Sequence, residues 1–527
     1  MNDTTVDDDG RQALGDGFLK AVAAALQQRR DWVRWIAPLA VLVGFSWFFW
    51  GTCFTADDYY WLFFCDHAPP IVNLFLEDTL CREFFRPVGE LWWIVADALG
   101  GGSRLGFQIA FLSLHLIDGL LAAALGSRIL GREVFPVSFV AFTLNPLLVS
   151  QVTTHYFFVF DAVGLLFYLA GLLFLIEGRR RSSSLLSIFS IPCALLAYFS
   201  KEAFFTFPVA AFGVLLSVSD DDARRRRNVG EAWGWTIVHL VFLGAAVFWR
   251  YLVIRKLGGY GLANIHGIGD LFGHVIERAF RWGSFVLTGW LPGAELFGRG
   301  FSVAAAAAGL ALIVRMWLRR DDRRLVLWCL LWMLVTWAPS VLMVTYAPVS
   351  WYVPCVGWSA LLAAYFARAP LGRWLSAGYF VLVASSALAF YAKRSEYVAE
   401  IGRQEAALER RFLSGGYEIE GDRPCVLWGI MPEIYPDPFI KRAVPPLAPA
   451  PRVVFVNPEA PTVWGVRNAL DEPPPPGLKL NERFGGAFVS LGRFRIYPFE
   501  LNDREGAMAS TSFVHWKWNG EMFEPIK

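Results

Sequence analysis

The feature that most limits this chain is a recurrence of long apolar runs separated by short basic loops. A helix crosses about 30 Å of hydrocarbon with roughly 20 apolar residues, and somewhat fewer in a crowded bundle. In lipid only helices and closed barrels satisfy every backbone N–H and C=O, and runs this long exclude a barrel. Spans are expected near residues 36–54, 106–126, 133–152, 158–176, 184–200, 203–218, 233–252, 301–317, 325–345, 351–367 and 374–391, about eleven in all. Composition agrees, because only 18% of the residues are charged, against about 25% in a soluble domain. The expected fold is an α-helical polytopic membrane protein. Residues 1–35 are polar, and no A-x-A-like cleavage site follows the next apolar run, which reads as a retained first span.

Basic residues in short loops set the orientation. Arg29, Arg30 and Arg34 precede the first span. Arg128 and Arg132, Arg179 to Arg181, Arg224 to Arg227, Arg319, Arg320, Arg323 and Arg324, and finally Arg368 and Arg373 follow. With eleven spans every cluster falls on one side, the cytoplasmic one. Counting the apolar segment 276–299 as another span would break this, so it reads as an interfacial or re-entrant piece on the outer side. The expected organisation is a cytoplasmic segment 1–35, a membrane domain 36–392 with a first external loop at 55–105, and an external domain 393–527. That domain is expected to be periplasmic, on a chain in a bacterial inner membrane. Its proline-rich stretches and the short runs CVLWGI, RVVFV and FVSLGRFRIY suit a small α/β or β domain behind a charged helix at 393–413.

Several chemistries are set aside. The basic residues sit at membrane boundaries and form no extended patch for nucleic acid. The seven cysteines have no metal-ligand spacing, so no metal site is expected. Cys65 and Cys81 share the first external loop, as a disulfide in an oxidising compartment or as buried thiols. No phosphate-binding glycine loop, HExxH or nucleophile elbow occurs, and no cofactor is expected.

The ionisable residues that carry chemistry lie at the outer ends of the spans. TADDYYWLFF puts Asp57 and Asp58 just past the first span. A carboxylate at a low-dielectric boundary suits a general base, and an aspartate there equally suits a helix N-cap. Arg82 and Arg86 occupy the same loop and can bind a lipid phosphate or anchor at the interface. SKEAFF places Lys201 and Glu202 where the loop is almost absent, close to the membrane plane. There they line a pathway, or the lysine snorkels beside a solvated glutamate. His155 suits a polar ligand or a turn cap, and Asp161 needs a partner inside the start of its span. His115 and Asp118, one turn apart, suit a structural pair within the bundle. Glu83, Glu90 and Asp97 carry no assigned role, and Glu295 in the 276–299 segment could face the same vestibule.

Taken together these segments resemble the GT-C superfamily of integral-membrane glycosyltransferases. The marks are ADDYY, FFRPVGE, NPLLVSQV, SKEAFFTFP, YLVIRKLGGYG and VSWYVPCVGWSALLA, in that order over residues 36–391. The last is similar to a Tyr-Leu-Pro segment of bacterial O-mannosyltransferase-like members. The resemblance implies a GT-C-like bundle that moves a sugar from a polyprenyl-phosphate donor to a glycan, lipid or protein acceptor on the external face. It implies that Asp57 and Asp58 are catalytic, the first as base for the acceptor hydroxyl. Arg86, Lys201, Glu202, Arg255 and His155 would hold donor phosphate or substrate. One departure is visible: relatives often carry Arg-Tyr where this chain has Ser350-Trp351-Tyr352, so Arg250, Arg255 or Lys256 would have to supply that charge. A glycolipid transporter or flippase, and a surface-polysaccharide polymerase or ligase, are the alternatives. A transporter calls for paired charges at the bilayer midplane.

Overall fold

The computed structural model describes residues 85–145, 158–217, 222–255, 268–289, 299–341 and 351–383 with short gaps. It also describes Trp61, Cys65, Leu148, residues 68–77, isolated positions between 385 and 407, and eight strands between 425 and 525. All of these belong to the compact unit Gly51–Lys527.

The described helices of more than five residues are, in chain order, α1 (Pro87–Gly100), α2 (Arg104–Leu130), α3 (Phe135–Thr143), α4 (Val159–Arg180), α5 (Ser190–Tyr198) and α6 (Phe207–Ser217). They continue with α7 (Asp222–Ile254), α8 (Ile268–Thr288), α9 (Arg299–Leu318), α10 (Arg323–Val341) and α11 (Cys355–Arg368). Among the described residues, four segments are long and apolar enough to cross a bilayer: Leu105–Leu130, Val159–Arg180, Val229–Ile254 and Arg299–Leu318. That is the mark of a helical membrane protein. α4 is buried along most of its length, whereas α7 and α9 turn much of their apolar surface outward.

Several expected spans are broken in ways their residues explain. The stretch 184–200 is two helices, Ser184–Ile188 and α5. The stretch 133–152 opens as a 3-10 turn, Arg132–Val134, and α3 ends at Thr143. Asn145 precedes Pro146, which disfavours helical backbone at the residue before it. The stretch 203–218 begins as a 3-10 helix, Glu202–Thr206, before α6 takes over. α1 starts with proline in its first turn and stops at Gly101, whose φ of 58 permits the left-handed cap.

The segment 276–299, read as interfacial, overlaps the second half of α8, which is not among the four long apolar segments. Phe272, Val275, Ile276 and Phe280 are exposed on it at helical spacing and so line one apolar face. In the tail, strands β1 (Cys425–Trp428), β2 (Val453–Val456), β3 (Thr462–Asn468), β4 (Leu478–Leu480), β5 (Val489–Leu491), β6 (Phe494–Leu501), β7 (Val514–Trp518) and β8 (Phe523–Pro525) form one sheet. Its order is β4-β6-β3-β2-β1-β7-β8, with β5 also on β6. β1 runs parallel to β2 and β7, and the flanking pairs are antiparallel. Most of the charged helix expected at 393–413 lies outside the described residues.

Candidate functional site

α4 carries Phe160 and Asp161 in its first turn, and Asp161 is 2% exposed. A carboxylate so placed in an apolar bundle requires a counter-charge. Lys201 supplies it, donating from Nζ to Asp161 Oδ2 at 2.5 Å. The turn after α5 sets this up. Ser200 is buried and its hydroxyl donates to Leu196 O at 2.7 Å, and Lys201 is extended (φ −165, ψ 150) ahead of the 3-10 helix.

Two glycines let these elements close on one another. A Cβ on Gly164, nearly one turn past Asp161, would lie 1.9 Å from the Phe204 ring of the 3-10 helix. One on Gly89, in α1, would lie 2.1 Å from Phe160. α1 is further joined to the turn by the Val88 N–H, which donates to Phe199 O at 3.2 Å.

Glu202 stands between two arginines from distant elements. Arg86, the N-cap of α1, donates from a terminal guanidinium nitrogen to Glu202 Oε2 at 2.8 Å. Arg250, near the end of α7, donates to Glu202 Oε1 at 2.5 Å and to Phe85 O at 3.3 Å. Arg250 is 2% exposed, and its Nε has no partner among the described residues. The Arg86 guanidinium also lies 5.5 Å above the centroid of the Phe160 ring, beside Asp161. Burial alone would raise the Glu202 carboxyl, but the Arg86 and Arg250 charges outweigh it and bring it down to about 2. Glu202 lies in the connection between α5 and α6, outside the long spans. Among the described residues, Arg86, Lys201 and Arg250 are set against Asp161 and Glu202.

The opposite ends of α4 and α7 hold a different set. Glu177 pairs with Arg128 and Arg181, and Arg179 lies 4.0 Å from Glu231. At 1.5 Å per residue, Asp161 and Glu177 are about 24 Å apart along α4, and Glu231 and Arg250 about 28 Å apart along α7. Charges therefore gather at the two ends of these helices.

No protein-family model matches the chain, and no curated protein sequence matches it.

Of the residues named from the sequence, Arg86, Lys201 and Glu202 come together, and Asp161 joins them. Asp57, Asp58 and His155 lie outside the described residues, as do Arg82, Cys81 and Lys256. Trp61, three positions after Asp58, is described: it packs on Phe160 at 4.8 Å and on Trp93 at 5.8 Å between ring centroids. Arg255 does not join the cluster; it is exposed at the end of α7 with a φ of 56. Arg250 does join it. The signal for Arg250 was an arginine set within VFWRYLVI, which must find a partner for the same reason as Asp161.

Trp351 is buried between Phe285 and Trp337, with centroids at 3.9 and 5.3 Å. The next residue, Tyr352, ties His115 to Asp118. Its hydroxyl donates to Asp118 Oδ2 at 2.9 Å and lies 2.8 Å from His115 Nδ1. His115 and Asp118 thus belong to one buried network, joined through a third residue.

Proposed function

We propose that this chain is a GT-C-type glycosyltransferase that moves a sugar from a polyprenyl-phosphate donor to an acceptor hydroxyl on the external face of a bacterial inner membrane. The observation that carries this reading is the convergence of Arg86, Lys201, Glu202 and Arg250 at one end of the bundle. Burying so many ionisable groups in an apolar environment costs stability, and such clusters mark functional sites in membrane proteins. Transfer from a lipid phosphate needs cationic groups where charge develops on the departing phosphate, and a base for the attacking hydroxyl. Arg86, Lys201 and Arg250 serve the first need. Asp57, with Asp58 beside it, serves the second. Trp61 packs on Phe160, the chain neighbour of Asp161, and the four steps from Asp57 to Trp61 span at most about 14 Å of chain.

The basic clusters Arg128 and Arg179 to Arg181 mark the cytoplasmic end of α2 and α4, which puts Asp161 and Lys201 at the external end. Placement at the ends of helices favours the enzyme over a transporter, whose charges would sit at the midplane. The remaining expected spans complete a bundle of about eleven helices, and the sheet of residues 425–525 belongs to an external domain.

The test is reconstitution of the purified chain in lipid with polyprenyl-phosphate-linked sugars, followed by chromatography of the lipid and acceptor fractions. Release of polyprenyl phosphate coupled to acceptor glycosylation supports the reading. No turnover of any such donor by a folded, correctly oriented chain refutes it.

A further inference from the structure

The two oxygens of Glu202 are divided between two guanidiniums, Oε2 to Arg86 and Oε1 to Arg250. Two non-bridging oxygens of a phosphate ester engage a pair of arginines in the same way. We infer that Glu202 is a resting counter-anion in an arginine clamp, and that a lipid-linked phosphate takes its place between Arg86 and Arg250 when it binds. The inference rests on the donor class proposed above, and adds to it the residue the donor must displace.

The clamp is built for exchange. Its deep jaw is Arg250, 2% exposed, fixed by the Phe85 carbonyl and carrying a buried Nε with no partner among the described residues. Its outer parts are less enclosed, with 14% of each side chain of Arg86 and Glu202 accessible. A ligand therefore approaches from the Arg86 and Glu202 side. With Glu202 in place one of the clamp's two positive charges is offset and both guanidiniums are hydrogen-bonded, which lets the arginine pair persist without ligand.

The surroundings point to a lipid as the source of the phosphate. Phe248, Trp249, Tyr251 and Leu252 neighbour Arg250 on α7 and are all exposed, so an outward-facing apolar surface lies alongside the buried arginine. The Trp249 indole donates to Phe75 O at 2.9 Å, and Ile71 and Val72 of the short helix Ile71–Leu74, which Phe75 caps, are also exposed and apolar. A prenyl chain laid along this surface would keep its apolar contacts while its phosphate reached the clamp.

The test uses the purified full chain in lipid nanodiscs and compares three probes: a polyisoprenyl monophosphate, the matching neutral polyisoprenol, and inorganic phosphate. Binding is measured by calorimetry for the parent chain and for Glu202→Gln, Glu202→Asp and Arg250→Gln. Removing the internal competitor in Glu202→Gln should tighten the polyisoprenyl phosphate several-fold. Glu202→Asp, too short to bridge both arginines, should tighten it less, and Arg250→Gln should weaken it about tenfold or more. The neutral alcohol should bind all four chains alike. Weaker or unchanged phosphate binding in both Glu202 variants overturns the exchange, as does loss of the folded chain in both, which would make the carboxylate a structural tie. If inorganic phosphate follows the same order while the lipid does not bind, the clamp stands and the lipid-donor function falls. If the lipid binds and is turned over but the Glu202 variants show no gain, the function stands and the exchange falls.

Discussion

Lys201 and Asp161 face each other across the start of α4, with Nζ 2.5 Å from Oδ2 and both residues buried. They are 40 positions apart in sequence, and each accounts for the other's place in an apolar bundle. Through this pair and the neighbouring Arg86–Glu202–Arg250 bridge, four separate parts of the chain meet at one end of the helices.

Lys201→Met removes one partner of a buried ion pair and leaves Asp161 uncompensated. The expected loss is about 3 kcal/mol, since breaking such a pair costs far more than replacing it whole. Thermal unfolding in detergent should show a lower midpoint for Lys201→Met. The double variant Lys201→Met with Asp161→Leu should recover much of the difference. A double variant no better than the single would mean that the pair's geometry, not its charge balance, carries the stability.

Asp57→Asn keeps the size of the proposed base but removes its proton-accepting capacity. Sugar transfer should fall by about 10²-fold or more, while expression and membrane insertion stay at the level of the parent chain. Full transfer activity in this variant would rule out Asp57 as the base.

Arg86→Ala should raise the donor concentration needed for half-maximal rate more than that of the acceptor, because the proposed phosphate contact serves only the donor. Steady-state kinetics with each substrate varied in turn gives the comparison. Equal effects on both would indicate that Arg86 anchors α1 and does not contact donor.

Gly164→Ala should be destabilising, because the added Cβ would lie 1.9 Å from Phe204 in the element that carries Glu202. Overpacking of this kind costs about 1–3 kcal/mol. Gly234→Ala, with nothing within 4 Å of the added Cβ, is the control and should leave the unfolding midpoint close to that of the parent. Equal midpoints for Gly164→Ala and the parent would show that Phe204 moves aside freely.

Sidedness is checked with single cysteines in a background lacking other reactive thiols. Ser200 is too buried to report on solvent, so Arg255 and Ser182, both exposed, are the useful positions. Arg255→Cys should react with an impermeant thiol reagent added outside, and Ser182→Cys only after permeabilisation. The reverse pattern would invert the orientation and remove the external site.

Within the sequence, hydropathy alone identified the long apolar runs behind α2, α4, α7 and α9, because crossing a bilayer depends on composition summed along one local stretch. The β-rich runs of the tail were legible for the same local reason, in residue type and flanking turns. The sequence also showed that Asp161 must have a partner, since burial of an unpaired carboxylate is costly wherever it occurs. It could not name that partner. Lys201 with Asp161, Arg250 with Glu202 and Arg86 with Glu202 are separated by 40, 48 and 116 positions. Only the packing of α1, α4, the turn before α6 and the end of α7 brings them within hydrogen-bonding distance. The choice of Arg250 over Arg255 was likewise tertiary, because both arginines sit near the end of α7 and only its rotation against the bundle decides which one is buried.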